Sequence, residues 1–169
     1  NEEFRFYLAF VLIFTLVIGS VLAFKAGGDF EASFRKSIFQ VISVMTTTGY
    51  ITDNYLTWGT GLSTLVFALM FFGGSTGSTG GGIKIARIAL LMKNSYLEFK
   101  RLLHANAVIP VRLNRKAVQP FIINKVLAFI GFYFMIFGIG TAIMASMSMD
   151  IETARGASIS ALGNIGPGS

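Results

Sequence analysis

From position 4 to position 24 the chain runs almost without a polar side chain, with Arg5 and Lys25 near the two ends of the run. Those 21 residues make a helix about 30 Å long at ~1.5 Å per residue, the thickness of a bilayer's hydrocarbon core. In lipid every backbone polar group needs an internal partner, so a run of this kind has helix as its one open-ended solution. It is too long for a signal peptide and lacks a small-residue cleavage pattern. A second full-length run covers 126–147. The rest of the chain agrees, since 53% of its residues are hydrophobic and 13% are charged, against about 25% charged in soluble domains. The expected fold class is therefore an all-α integral membrane protein.

A third apolar run, 62–72, begins as a membrane helix and stops after eleven residues. It meets Gly73-Gly74-Ser75-Thr76-Gly77-Ser78-Thr79-Gly80-Gly81-Gly82, ten residues with no apolar side chain, before a helical pattern resumes at Ile83. Non-helical backbone at membrane depth survives where protein or a water-filled cavity satisfies it. A broken helix lining a pore is the economical reading. As a phosphate loop the segment fails, because Gly-Ile-Lys stands where Gly-Lys-Ser/Thr is required and no strand precedes it. Flanking apolar helix argues against a flexible linker, while a packing seam of small residues stays open.

Two helical stretches too short to cross a bilayer each run into a glycine motif. Residues 31–45 carry apolar side chains at helical spacing behind Asp29, an expected N-cap, and lead into Thr46-Thr47-Thr48-Gly49-Tyr50. Residues 150–162, with Asp150 as cap, lead into Asn164-Ile165-Gly166-Pro167-Gly168. Phe4 and Phe121 stand 117 residues apart, and so do Gly49 and Gly166. The chain thus holds two copies of one device, a membrane helix followed by a re-entrant helix and loop. Asp29 lies farther from its glycine than Asp150 does, so the second short helix is expected to be the shorter. A cation entering a bilayer must have its hydration replaced, which backbone carbonyls on an extended loop can do without placing full charges there. Glycine permits the required backbone and threonine adds a hydroxyl oxygen.

Nine of the fourteen basic residues lie between Lys84 and Lys125, opposed by Glu98 alone. This clustering reads as a cytoplasmic face under the positive-inside rule rather than as a nucleic-acid surface. The expected topology starts inside, exits at Lys25, dips and returns through Tyr50, and crosses inward from Leu62. It then stays inside through Lys125 and exits again by Met147. A hairpin over 108–118, turning at Asn114-Arg115, is expected within the inner segment. Tyr55 and Trp58 read as interfacial anchors, and Lys84 and Arg87 as residues snorkelling at the inner interface. Arg35, Lys36 and Arg155 read as packing or lipid contacts near the outer face, His104 as a loop residue, and the phenylalanines as packing or lipid-facing groups. With no cysteine, a single histidine and no clustered acids, the chain offers no metal-ligand set or catalytic group. No enzyme activity and no cofactor are expected.

On the threonine–glycine motif, its counterpart ending Gly166-Pro167-Gly168, and the glycine-rich break running into Gly80-Gly81-Gly82-Ile83-Lys84, the chain resembles the Trk/Ktr/HKT superfamily of potassium transporters. Its TrkH-like membrane subunits are the most similar branch. The resemblance covers essentially the whole chain and corresponds to the third and most of the fourth of four pore repeats. It implies residues 1–107 as the third repeat, 108–120 as a cytoplasmic connector, and 121–169 as a partial fourth repeat, so that the chain is expected to be an internal piece of a longer protein. It implies K⁺ as the transported ion, with Thr47, Thr48, Gly49, Tyr50, Asn164, Ile165 and Gly166 as filter residues and residues 73–82 as a gate beneath them. It further implies the lipid bilayer of the inner (plasma) membrane as surroundings, a homodimer, and a cytosolic nucleotide-binding regulatory subunit as partner. Na⁺ as cargo in the same architecture, or a membrane-embedded enzyme or assembly subunit in which both glycine motifs serve only packing, are the alternatives.

Overall fold

The structure, a computed structural model, describes residues 2–103, 110–114 and 116–166. His104, Arg115, Pro167 and Gly168 lie outside the described residues. The order of elements is helical throughout, with two pairs of two-residue strands.

Helix α1, Glu2–Lys25, buries Val11, Thr15, Ile18, Gly19 and Ala23 along one stripe and leaves its other faces apolar and exposed. This is how a bilayer-spanning helix differs from a soluble core helix. Helix α2, Phe30–Met45, folds back along that stripe. Asp29 caps it, accepting from the Ala32 N–H at 3.2 Å, and the Ser37 hydroxyl donates to the Thr15 carbonyl at 2.9 Å. Gly19 permits the close approach, since a Cβ there would stand 2.8 Å from the Phe34 ring. A single 3-10 turn, Tyr55–Trp58, and helix α3, Thr60–Leu69, follow.

The helix expected over 62–72 ends at Leu69, because the Phe71 carbonyl receives the Ile83 N–H at 2.8 Å instead of continuing the helical ladder. Strands β1, Phe72–Gly73, and β2, Ile83–Lys84, therefore pair in parallel across the glycine-rich break. Helix α4, Ile85–Leu103, leads away from β2. Strands β3, Arg112–Leu113, and β4, Lys116–Ala117, form the expected antiparallel hairpin, with Asn114 left-handed at its turn.

Helix α5, Pro120–Ser146, starts with proline at its first turn, where a missing N–H costs nothing, and is largely exposed. Helix α6, Ile151–Gly163, turns back along it. Asp150 caps α6 by accepting from the Thr153 N–H and hydroxyl, and Ser158 donates to the Phe137 carbonyl at 3.1 Å. The two short helices have 16 and 13 residues, in the expected order. The main core forms where the units meet, with Met45, Leu69, Met70, Ile159 and Ile165 packed together out of solvent. Phe71 anchors the break to α5 by stacking on Phe134 and meeting Phe137 edge-on.

Candidate functional site

The two short helices end in one geometry. At the end of α2 the Thr48 N–H reaches the Ser43 carbonyl at 2.9 Å and the Thr47 N–H reaches Val44 at 3.0 Å. At the end of α6 the Ile165 N–H reaches Ser160 at 3.1 Å and the Asn164 N–H reaches Ala161 at 3.3 Å. This paired termination around a left-handed residue is the Schellman motif. All four pairs hold the 117-residue offset. So do the backbone angles, with φ 56° at Thr47 and 52° at Asn164, then 78° at Gly49 and 103° at Gly166. Neither helix has a basic residue in its last turn, so its C-terminal partial negative charge is left uncompensated.

After α2 the chain runs back along the helix it has left. Ser43 donates to the Tyr50 carbonyl at 2.6 Å, Lys36 pairs with Asp53 at 2.7 Å, and the Trp58 carbonyl receives the Lys25 ammonium at 2.7 Å. The excursion that began at the end of α1 thus returns to the end of α1, which is what re-entrance means in atomic terms. Among the described residues the carbonyls of Thr47, Thr48, Gly49, Asn164, Ile165 and Gly166 accept no hydrogen bond. Backbone oxygens in that condition need water or a cation. The Tyr50 carbonyl differs, having one lone pair committed to Ser43.

The glycine-rich segment lies directly against both helix ends. The Gly81 N–H donates to the Gly163 carbonyl at 3.1 Å. A Cβ on Gly81 would stand 2.5 Å from that oxygen and 2.8 Å from the Leu162 carbonyl, and one on Gly80 would overlap the Thr47 side chain. Glycine is required here by close approach. Inside the loop, Lys84 Nζ donates to the Ser78 carbonyl at 2.9 Å, to the Ser78 hydroxyl at 3.0 Å, and to the Gly80 carbonyl. Glu3, on the first turn of α1, accepts from the Thr76 N–H at 2.5 Å and its hydroxyl at 2.7 Å.

Several expectations are corrected. Lys84 does not snorkel; its ammonium is spent on loop oxygens. Arg87 stacks on the Phe129 ring at 3.7 Å, tying α4 to α5. Tyr55 and Trp58 are buried rather than interfacial, and Trp58 Nε1 faces Asp53 at 3.4 Å. Arg35 pairs with Glu31 on the exposed face of α2, whereas Arg155 lies over Phe67 in the packing role expected of it. The parts missed from sequence are Ser43, Glu3 and the role of Lys84 inside the loop. Their partners stand at loop positions that no periodicity marks. Among the described residues no group of acids, histidines or cysteines could hold a metal.

The family model described as TrkH, cation transport protein, matches residues 6–169. The Trk system potassium uptake protein TrkH of Salmonella typhimurium is 34% identical over 169 residues, covering 99% of this chain and 35% of that protein. Trk system potassium uptake protein TrkI of Halomonas elongata is 34% identical over 164 residues, covering 95% and 33%. The crystal structure of the potassium transporter TrkH from Vibrio parahaemolyticus superposes with a TM-score of 0.91 at 31% identity, over 99% of this chain and 36% of that one. The chain thus spans about a third of the length of the proteins it matches.

Proposed function

The chain belongs to the TrkH family of cation transport proteins, and from that premise we propose that it supplies two of the filter segments and the gate of a K⁺ uptake pathway. Its helices α1 and α5 are long and apolar enough to span a membrane, and α3 with α4 forms a third span broken by residues 73–82. Residues 1–107 act as one pore repeat, 108–120 as a connector on the inner side, and 121–169 as the start of another. The whole transporter sits in the cell's inner membrane as a homodimer with a cytosolic nucleotide-binding regulatory subunit.

One observation carries the filter reading: the same left-handed termination, 117 residues apart, leaves uncommitted carbonyls just beyond two helix C-termini. A dehydrated K⁺ meets there several carbonyl dipoles and the negative ends of α2 and α6, with no full negative charge to trap it. Thr47, Thr48 and Gly49 serve the first segment, and Asn164, Ile165 and Gly166 the second. The Tyr50 carbonyl serves with its remaining lone pair. No bond is made or broken, so the protein's work is to replace hydration and to regulate access.

Access is the role of the loop from Gly73 to Gly82, which is pressed against Thr47 on one side and Gly163 on the other. In this position it shields the base of both segments from the inner side. The test is K⁺ and Na⁺ flux in vesicles holding the full-length protein, before and after deletion of residues 75–79. Greater flux with an unchanged order of ion preference supports separate gate and filter. Unchanged flux in a folded deletion variant returns the loop to a packing role, and Na⁺ carried in preference to K⁺ replaces the cargo.

A further inference from the structure

The first turn of α1 carries two adjacent acids whose side chains diverge. Glu3 holds the tip of the glycine-rich loop through the Thr76 N–H and hydroxyl. Glu2 reaches the inner hairpin and α4: its carboxylate pairs with Lys93 at 2.5 Å and accepts from the Asn114 N–H at 3.0 Å. Its own backbone N–H donates to Asn114 Oδ1 at 2.8 Å. Lys93 completes the bridge by donating to the Arg112 carbonyl at 3.1 Å. One helical turn therefore connects the glycine-rich loop to the hairpin at 112–117.

We propose that Glu3 is a positioning residue for the glycine-rich loop, and that Glu2 and Glu3 together form a strap through which the hairpin at 112–117 sets where that loop lies. The inference rests on the gate reading for its effect on flux, but not for its geometry. The loop has few means of holding itself. Gly81 ties its base to Gly163, but its tip at Gly77 stands in open space, so the tip is held by Lys84 from the exit strand and by Glu3 from outside the segment. Hydrogen bonds to a carboxylate are among the stronger ones available. A shift of the hairpin that draws on Glu2 moves the first turn of α1, and with it the acceptor that holds Thr76. Such a path gives anything that binds the inner face a mechanical route to the loop.

The test uses the full-length protein in vesicles, with a nitroxide on Gly77→Cys as its single labelled position, where open space admits the label. Label mobility and K⁺ flux are read together. Glu3→Ala is expected to raise mobility and to increase flux about tenfold, equivalent to ~1.4 kcal/mol in the seated-to-free balance. Glu3→Gln, which still offers an oxygen to Thr76, should recover much of the original behaviour. Thr76→Val, losing the hydroxyl alone, should give a partial change and serves if Glu3→Ala does not fold. Lys93→Met should loosen the label when Glu3 is present and add nothing to Glu3→Ala. Unchanged mobility in Glu3→Ala or Thr76→Val overturns the positioning role, and additive effects of Lys93→Met and Glu3→Ala overturn the strap. Raised mobility with unaltered flux upholds the strap and removes the gate reading. Increased flux on deleting 75–79 beside an inert Glu3→Ala does the reverse.

Discussion

The segments after α2 and after α6 share a backbone but not the means of holding it. In the first, a β-branched threonine occupies the left-handed position at φ 56°, a conformation costing such a residue roughly 1–2 kcal/mol. Hydroxyls compensate: Thr46 and Thr48 side chains meet at 2.8 Å, and Ser43 fixes the Tyr50 carbonyl. In the second, Asn164 takes the same position with little strain, Ile165 is buried, and the loop's Gly81 supplies a hydrogen bond to Gly163. One segment is supported by its own polar side chains, the other by packing and by the loop. The difference teaches that loop movement should be felt first at the second segment, although both lie against it.

The largest effect follows from that dependence. Gly81→Ala drives a methyl into two backbone carbonyls that cannot give way cheaply, so the loop must leave its seat. We expect K⁺ flux to rise about tenfold or more, since ~1.4 kcal/mol already shifts an equilibrium tenfold. Gly77→Ala, in open space, should leave flux unchanged. Equal flux in the two variants, measured at matched protein amounts, would break the claim that the second segment leans on the loop. Next comes Gly49→Ser, which places a side chain at φ 78°. It should lower K⁺ preference over Na⁺ while folding persists, and unchanged ion competition would remove Gly49 from the filter.

An exchange at the left-handed position sharpens the comparison further. Thr47→Asn should stabilise the first segment and Asn164→Thr destabilise the second, each by about 1 kcal/mol. Thermal unfolding of the purified protein reads this directly. Opposite signs at the two sites are required, because the offset makes them equivalent in backbone and unlike in residue. The same sign at both would mean that side-chain hydrogen bonds, not backbone strain, decide these positions.

What the residues disclosed in advance was local or periodic. Asp29 and Asp150 marked the starts of α2 and α6 by capping chemistry. The 117-residue offset placed Gly49 and Gly166 in one register, and ten residues without an apolar side chain announced the break between α3 and α4. What stayed hidden depended on distant partners. Glu3 meets a loop 73 positions away and Glu2 a hairpin 112 positions away. Neither distance leaves a trace in composition or periodicity. Tyr55 and Trp58 misled for a related reason. Their composition suits an interface, but the return of the chain to Lys25 encloses them, and only the tertiary path shows that.

The smallest effect separates the two units at Asp53 and Asp150. Lys36, then Trp58, hold the Asp53 carboxyl below its ordinary value of 3.8. The Thr153 hydroxyl and N–H do the same for Asp150. A carboxyl whose pKa is lowered by folding adds stability that is present above its unfolded value and is lost as pH falls through its folded value. Both units should therefore hold at neutral pH and weaken only below the ordinary carboxylate range. Salt tells the two apart. The Lys36–Asp53 pair is half exposed, so it contributes at most about 1 kcal/mol, and added salt screens it. The Asp150 cap is a set of short hydrogen bonds within one turn and should be nearly indifferent to salt. Asp53→Asn should lower the thermal midpoint at low salt by more than at high salt, while Asp150→Asn, still able to cap, should show little salt dependence. Equal salt dependence in the two variants would mean that the first unit's return arm is held by Tyr50 and Trp58 alone, with Lys36 contributing nothing.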